Sequence, residues 1–225
     1  MNNVKFKEFE SYCTCKNNLC PFSTTKCFKL KHGNVGICSF LHNKKPQVVC
    51  PNLFLKFNFL DYIAKTILQA ENYKILKELK VGSNFIDYVI ATPENDFCGV
   101  EVQSLDTTGN YRWIFGEKVK PYCINWKTTK KTILSQLITK SEVFKNANKK
   151  IVLVIQDTFF DYLNIKQKNY DSNKEVIILS LSYSNKIFSP SNLISMNRQE
   201  LIDLFCENDK YNLKEIVSHA VRVQT

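Results

Sequence analysis

The chain has 225 residues, 44% of them hydrophobic, and carries 31 Lys and Arg against 21 Asp and Glu, a formal net charge of +10. That composition excludes a disordered chain, allows one sizeable core with an appendage, and directs a basic surface toward a polyanion such as a nucleic-acid backbone. No run approaches the roughly 20 apolar residues of a membrane-spanning helix, and "MNNVKFKEFESYC" lacks the apolar centre of a signal peptide, so a cytoplasmic protein with no membrane partner is expected.

Six of the nine cysteines fall in the first 50 residues: Cys13, Cys15, Cys20, Cys27, Cys38 and Cys50. Gly33, Gly36, Pro21, Pro46 and Pro51 punctuate this segment, which has too few apolar residues to close a core alone. In an intracellular chain such a cluster is better explained by a metal than by disulfides, because small metallo-domains fold on their ion. Cys20, Cys27, Cys38 and Cys50 are the expected thiolates. Their gaps of six, ten and eleven residues are wider than the knuckles of common zinc fingers, and Cys13 or Cys15 could replace one of them. His32 and His42 are expected in exposed loops, Cys98, Cys123 and Cys206 as isolated cysteines, and His219 as structural or exposed.

After Pro51 the texture becomes regular. Phe54, Phe57, Ala64, Ile67 and Leu68 recur at helical spacing and predict an amphipathic helix over 53–70. Three β-like runs follow at 73–81, 85–91 and 97–105, separated by "GSN" and "TPEND", and predict an antiparallel meander. A Lys-rich helix is expected at 128–150 with Ile133, Leu134, Leu137, Ile138 and Phe144 on one face. "IVLVIQ" (151–156) is apolar on both faces, as a central strand would be. A short helix near 158–166, a strand at 175–183 and a helix at 198–207 complete the expected order. We therefore divide the chain into a Cys-rich metal-binding segment, 1–52, and a domain, 53–225, with no internal repeat.

Within the meander, residues two apart share a face, so Glu101 and Gln103 point the same way, and Asp87 on the preceding strand can face them. Two carboxylates and an amide oxygen suit Mg²⁺, which activates water and polarises phosphoryl oxygens. Glu78 on the first strand is the expected additional acid, with Glu71 the fallback. Taken singly, Asp87 and Glu101 each read as a solvated group on the polar face of the sheet, and it is their joint pattern that points to a site.

Asp followed by Glu-x-Gln on the next strand, within α-β-β-β-α-β, resembles the PD-(D/E)xK nuclease superfamily in its variant with Gln in place of the last Lys. Ile86 stands where that pattern has Pro, and an amide at 103 can orient a water but cannot act as base or carry charge. More closely, "CPF", Cys27, "GICS", "VVCPNLF", "VGSNFIDYVI", "GVEVQSLDTTGNYR" and "INWKTTKKTILSQLITK" are similar to the NotI-type restriction endonucleases over about residues 20–156. The resemblance implies an α/β (α+β) fold, a restriction-endonuclease-like αβββαβ core beside a small four-cysteine metal site. It also implies a structural iron or zinc on Cys20, Cys27, Cys38 and Cys50, and a catalytic set of Asp87, Glu101 and Gln103 with Glu78. Asp87 and Glu101 would bind Mg²⁺.

For DNA contact the expected residues are Asn110 and Arg112 in the loop after the Glu-x-Gln strand, then Lys127, Lys130, Lys131, Gln136 and Lys140 on the following helix. Asn125 and Trp126 are further candidates. The expectation is a type II restriction endonuclease acting on double-stranded DNA as a homodimer, with a cognate DNA methyltransferase as its functional companion. A structure-specific repair nuclease and a non-catalytic metal-containing DNA-binding module are the alternatives.

Overall fold

The computed structural model of the protein describes residues 11–14, 19–20, 22, 35–42, 44–81, 84–105, 107–108, 123–166 and 169–207. Strands β1 (Ser11–Thr14), β2 (Val35–His42) and β3 (Lys45–Val48) form an antiparallel sheet in the order β1-β2-β3. A 3-10 turn, Pro51–Lys56, leads to helix α1 (Phe59–Ile67). The meander follows as β4 (Lys74–Val81), β5 (Asn84–Ala91) and β6 (Phe97–Val102). A short pair, β7 (Thr107–Thr108) and β8 (Cys123–Ile124), precedes helix α2 (Trp126–Asn146). Then come β9 (Lys150–Gln156), α3 (Asp157–Tyr162), β10 (Val176–Ser184), β11 (Ile187–Met196) and α4 (Arg198–Glu207).

The expected α-β-β-β-α-β order is present, and its strands join β10 and β11 in one six-stranded mixed sheet, ordered β11-β10-β9-β6-β5-β4. β4, β5 and β6 pair antiparallel, whereas β6, β9 and β10 run parallel, which places the apolar β9 in the middle, as its composition requires. Phe59, Ile63, Ala64 and Ile67 of α1 bury one helical stripe against Ile90, Val100, Val152 and Val154 on one face of the sheet. Ile133, Leu137 and Phe144 of α2 cover Val89, Ile151, Leu153 and Ile155 on the other.

Two differences from the sequence reading have local causes. The helix expected over 53–70 is split in two: Pro51 opens the 3-10 turn, and Asn58 interrupts it to cap α1, its side chain accepting from the Asp61 N–H. β11 is absent from the sequence reading because Pro190 breaks the strand pattern. Pro190 is tolerated because β11 is an edge strand and its pairing with β10 shifts register beside it. Asn185 and Lys186, both at positive φ, form the two-residue turn joining the two strands.

The described part of the Cys-rich segment is stitched to the main sheet. The Gln156 side chain at the end of β9 accepts from the Val48 N–H at 2.8 Å and donates to the Pro46 carbonyl at 2.6 Å. The Leu105 N–H donates to Val48 O at 3.1 Å, and the Ser104 hydroxyl to Val49 O at 3.2 Å. Phe40 and Val49 enter the core under α2, while Cys20, Cys38, Val48 and Cys50 enter the core under α1.

Candidate active site

Strands β5 and β6 pair from Ala91–Phe97 to Tyr88–Val100 and then part. β5 continues toward Asn84 paired only with β4, and β6 continues to Val102 paired only with β9. Asp87 and Glu101 are the next residues on each side of this fork. One step beyond an antiparallel pair they share a face, the one that carries Leu153 of β9, which is paired with Glu101. Asp87 Oδ2 accepts from the Val102 N–H at 2.8 Å, so the carboxylate takes up a donor that the departing strand has left without a ladder partner. Burial raises the Asp87 pKa; the Val102 N–H and the charge of Lys140 oppose that rise, and the negative charge of Glu78 adds to it.

Glu78 stands on β4 between the pairs Lys77–Tyr88 and Leu79–Ile86, opposite Asp87. Its φ of 51° places a glutamate in the left-handed region, a conformation that costs an L-residue roughly 1–2 kcal/mol and takes it out of the regular ladder. Three acids therefore lie abreast on β4, β5 and β6, with the Glu78 side chain exposed and Glu101 buried. Glu71 is placed elsewhere: it is exposed, lies 3.9 Å from Lys65, and lines a surface depression with Glu94 and Asp96 beyond the other end of β5.

Glu101 is 6% exposed, and Lys140 of α2, 5% exposed, reaches it with Nζ 2.7 Å from Oε1. The separation is that of a close, charge-assisted ion pair between two buried groups, and a carboxylate oxygen can accept more than one donor or a cation besides. Burial pushes the Glu101 pKa up to about 7, with the Asp87 charge adding to the rise and Lys140 opposing it. Two features allow the helix to come this close. Gly99, two residues before Glu101, leaves room for the Phe144 ring, whose Cζ would lie 2.4 Å from an added Cβ. Asn125 caps α2 by accepting from the Thr128 N–H at 3.1 Å, fixing where the helix begins.

Gln103 follows on the same side as Glu101, but its Nε2 donates to the carbonyl of Ser104 at 2.7 Å and its backbone N–H to Val154 O at 2.9 Å. The amide is directed at its own chain and not at the two carboxylates.

The expected DNA contacts divide. Lys127, Lys131 and Gln136 are exposed on α2. Lys140 and Lys130 depart from the expectation: both are buried, because they fall on the apolar stripe of the helix and not on its outer face. Lys140 lies three residues after Leu137 and four before Phe144, so helical spacing alone places it inside. That spacing is the signal that distinguishes it from the outward lysines. Asn125 is the helix cap, and Trp126 stacks on Tyr162 at 4.9 Å and on Phe159 at 6.1 Å, which anchors α2 to α3. Asn110 and Arg112 lie outside the described residues.

Of the four expected thiolates, Cys20, Cys38 and Cys50 are buried in one cluster with Leu53 and Phe54. The Cys38 carbonyl accepts from both Val49 N–H at 3.0 Å and Cys50 N–H at 3.2 Å, and Asn52 Nδ2 donates to Cys20 Sγ at 3.7 Å. Cys27, Cys15, His32 and His219 lie outside the described residues, as do the side chains of Cys13, His42, Cys123 and Cys206. Cys98 is an ordinary buried thiol whose pKa burial pushes up to about 12. Among the described residues, no group of three or more His, Cys, Asp or Glu side chains converges as a metal site. The carboxylate site is therefore a pair, Asp87 and Glu101, with Glu78 adjacent. Mg²⁺ commonly binds through one or two carboxylates and keeps several waters, so the pair fits that ion. The Glu101 carboxylate supplies oxygens of the hard type it prefers.

No protein-family model matches the chain, and no curated protein matches it. Among solved structures, SfsA of Pyrococcus furiosus, determined in complex with Ca²⁺, is similar to it, with 15% identity over 75% of each chain and a TM-score of 0.39. Among the described residues, no helix is long and apolar enough to cross a membrane.

Proposed function

We propose that the chain is a Mg²⁺-dependent type II restriction endonuclease, hydrolysing phosphodiester bonds in double-stranded DNA. The observation that carries this reading is the fork: Asp87 and Glu101 face one another where β5 and β6 part, with Glu78 opposite Asp87 on the third strand. Acids abreast on adjacent strands repel one another and cost stability, so a chain with a net charge of +10 that gathers them beside a basic helix has a use for them. The resemblance of "GVEVQSLDTTGNYR" and its flanking motifs to the NotI-type enzymes gives that use a reaction class.

In this reading Asp87 and Glu101 hold the metal, which when bound supplies a water of lowered pKa and a polarised phosphoryl oxygen. The Val102 N–H fixes the orientation of the Asp87 carboxylate. Glu78 adds negative charge at the mouth of the site and binds or tunes a second ion. Gln103 turns its amide from the Ser104 carbonyl to orient the attacking water. Lys127, Lys131 and Gln136 meet the duplex together with Asn110 and Arg112. Cys20, Cys27, Cys38 and Cys50 are the set that the resemblance gives to a structural iron or zinc; Cys20, Cys38 and Cys50 share one buried cluster without converging as a three-ligand group, and Cys27 lies outside the described residues. A homodimer places one site on each strand of a palindrome, and a cognate methyltransferase protects the host's DNA.

Incubation of the purified protein with fully sequenced, unmethylated plasmid and phage DNAs in Mg²⁺ tests the proposal. Discrete fragments that vanish with EDTA and with Asp87→Asn support it. DNA that is bound yet left intact on several templates refutes the catalytic assignment.

A further inference from the structure

From its place on a Lys-rich helix Lys140 is expected to touch DNA, and its burial against Glu101 gives it another task. An ammonium brought into a core destabilises the fold unless a partner compensates it. Lys140 is 5% exposed on the stripe that otherwise carries Ile133, Leu137 and Phe144, and its Nζ is 2.7 Å from Glu101. Its charge is felt at Asp87 as well. One ammonium therefore serves two carboxylates that face each other across the fork, and a third, Glu78, adds to their repulsion. The contact is a close, buried ion pair, so Lys140 leaves Glu101 only when another cation takes its place.

We infer that Lys140 is the resident counter-ion of the Asp87–Glu101 pair, occupying its negative field in the metal-free protein and competing with a divalent cation for it. This rests on the reading of Asp87 and Glu101 as a metal site and deepens it. A divalent ion brings two charges to a place where Lys140 holds one, so the ammonium is released from Glu101 as the ion binds. Its flexible four-carbon stem is what such a release uses. Lys140 is accordingly a positioning residue: it keeps the two carboxylates in place before the metal arrives, at the expense of metal affinity. It also explains how the fork stays assembled with Gln103 turned to the Ser104 carbonyl and bringing no charge.

Titration calorimetry with Mn²⁺ and thermal melting, in EDTA and in saturating Mn²⁺, separate this role from a purely structural one. The proteins compared are the wild type, Lys140→Met, Lys140→Arg, and the double variant Lys140→Met/Glu101→Gln. Lys140→Met is expected to melt lower than wild type in EDTA, to recover most of that loss in Mn²⁺, and to bind Mn²⁺ about tenfold or more tightly. Lys140→Arg, which keeps the charge, should resemble wild type in EDTA and show no gain in affinity. The double variant, with both buried charges removed, should fold in EDTA and bind weakly, which provides a folded reference if Lys140→Met cannot be obtained without metal. Equal Mn²⁺ affinity in wild type and Lys140→Met, with the same melting deficit in EDTA and in Mn²⁺, overturns the inference and leaves the metal site standing. Absence of Mn²⁺ binding to wild type and to Lys140→Met alike overturns the metal site and the inference together.

Discussion

Asp87 and Glu101 are carboxylates placed where the protein does not favour their ionised forms, and each therefore separates function from stability when replaced. Asp87→Asn keeps an oxygen to accept from the Val102 N–H and removes a charge that burial opposes. We expect its melting temperature to equal or exceed that of wild type. On the proposed function, Mg²⁺-dependent cleavage should fall by at least about a hundredfold, since metal-assisted charge stabilisation is worth several kcal/mol. A melt and a plasmid assay on the same preparation check both halves. Glu101 carries a pH signature. Its pKa rises from 4.5 to about 7 on folding, chiefly by burial, so between those values the native state binds a proton the unfolded chain has released. Stability in EDTA should therefore be greatest below about pH 4.5 as far as this group is concerned, and should fall by up to about 3 kcal/mol as the pH rises to about 7. Urea melts across that range should show the decline in wild type and a flatter profile in Glu101→Gln. A profile of equal slope in the two proteins would assign the decline to other groups.

At the scale of elements, the site depends on how closely α2 lies on β6. Gly99 sets that distance: an added Cβ would stand 2.4 Å from Phe144 Cζ, an approach that only movement of the ring or the helix relieves. Gly99→Ala should cost about 1–3 kcal/mol by overpacking, read as a lower urea midpoint at unchanged slope. Gly99→Ala/Phe144→Leu, which removes the colliding ring, should regain part of it, and no recovery would mean that the glycine is needed for some other reason. The same elements show why the sequence was readable in part. The meander was legible because "GSN" and "TPEND" separate three runs, and the observed β4, β5 and β6 begin within a residue of the expected positions. The opposition of Asp87 to Glu101 follows from that hairpin register, which alternation anticipates. That β5 and β6 part beyond Tyr88–Val100 while β6 goes on pairing with β9, some 50 residues away in sequence, and that Glu78 leaves the ladder at positive φ, are features no local pattern carries.

Across the whole molecule, Gln156 joins the N-terminal segment to the central sheet. Both ends of its amide are used, on Val48 N–H and Pro46 O, in a side chain that is 1% exposed. Gln156→Leu leaves a buried N–H and a carbonyl unsatisfied, so a loss of about 2–4 kcal/mol is expected, with earlier proteolytic cleavage between residues 1 and 50 than in wild type. Equal protease resistance would show that the segment is held by its apolar contacts under α1 and α2. The sequence by itself determined the αβββαβ order, the apolar central strand and the acids at 87 and 101, because each rests on local periodicity that tertiary contacts did not override. Only the tertiary structure decided that Lys140 belongs to the acids and not to the outer surface, that Gln103 turns to the Ser104 carbonyl, and that β11 forms one edge of the sheet despite Pro190. Those outcomes depend on which helix face meets which sheet face and on which strand becomes an edge. Both are settled by packing energy summed over distant residues, to which no single window of the chain has access.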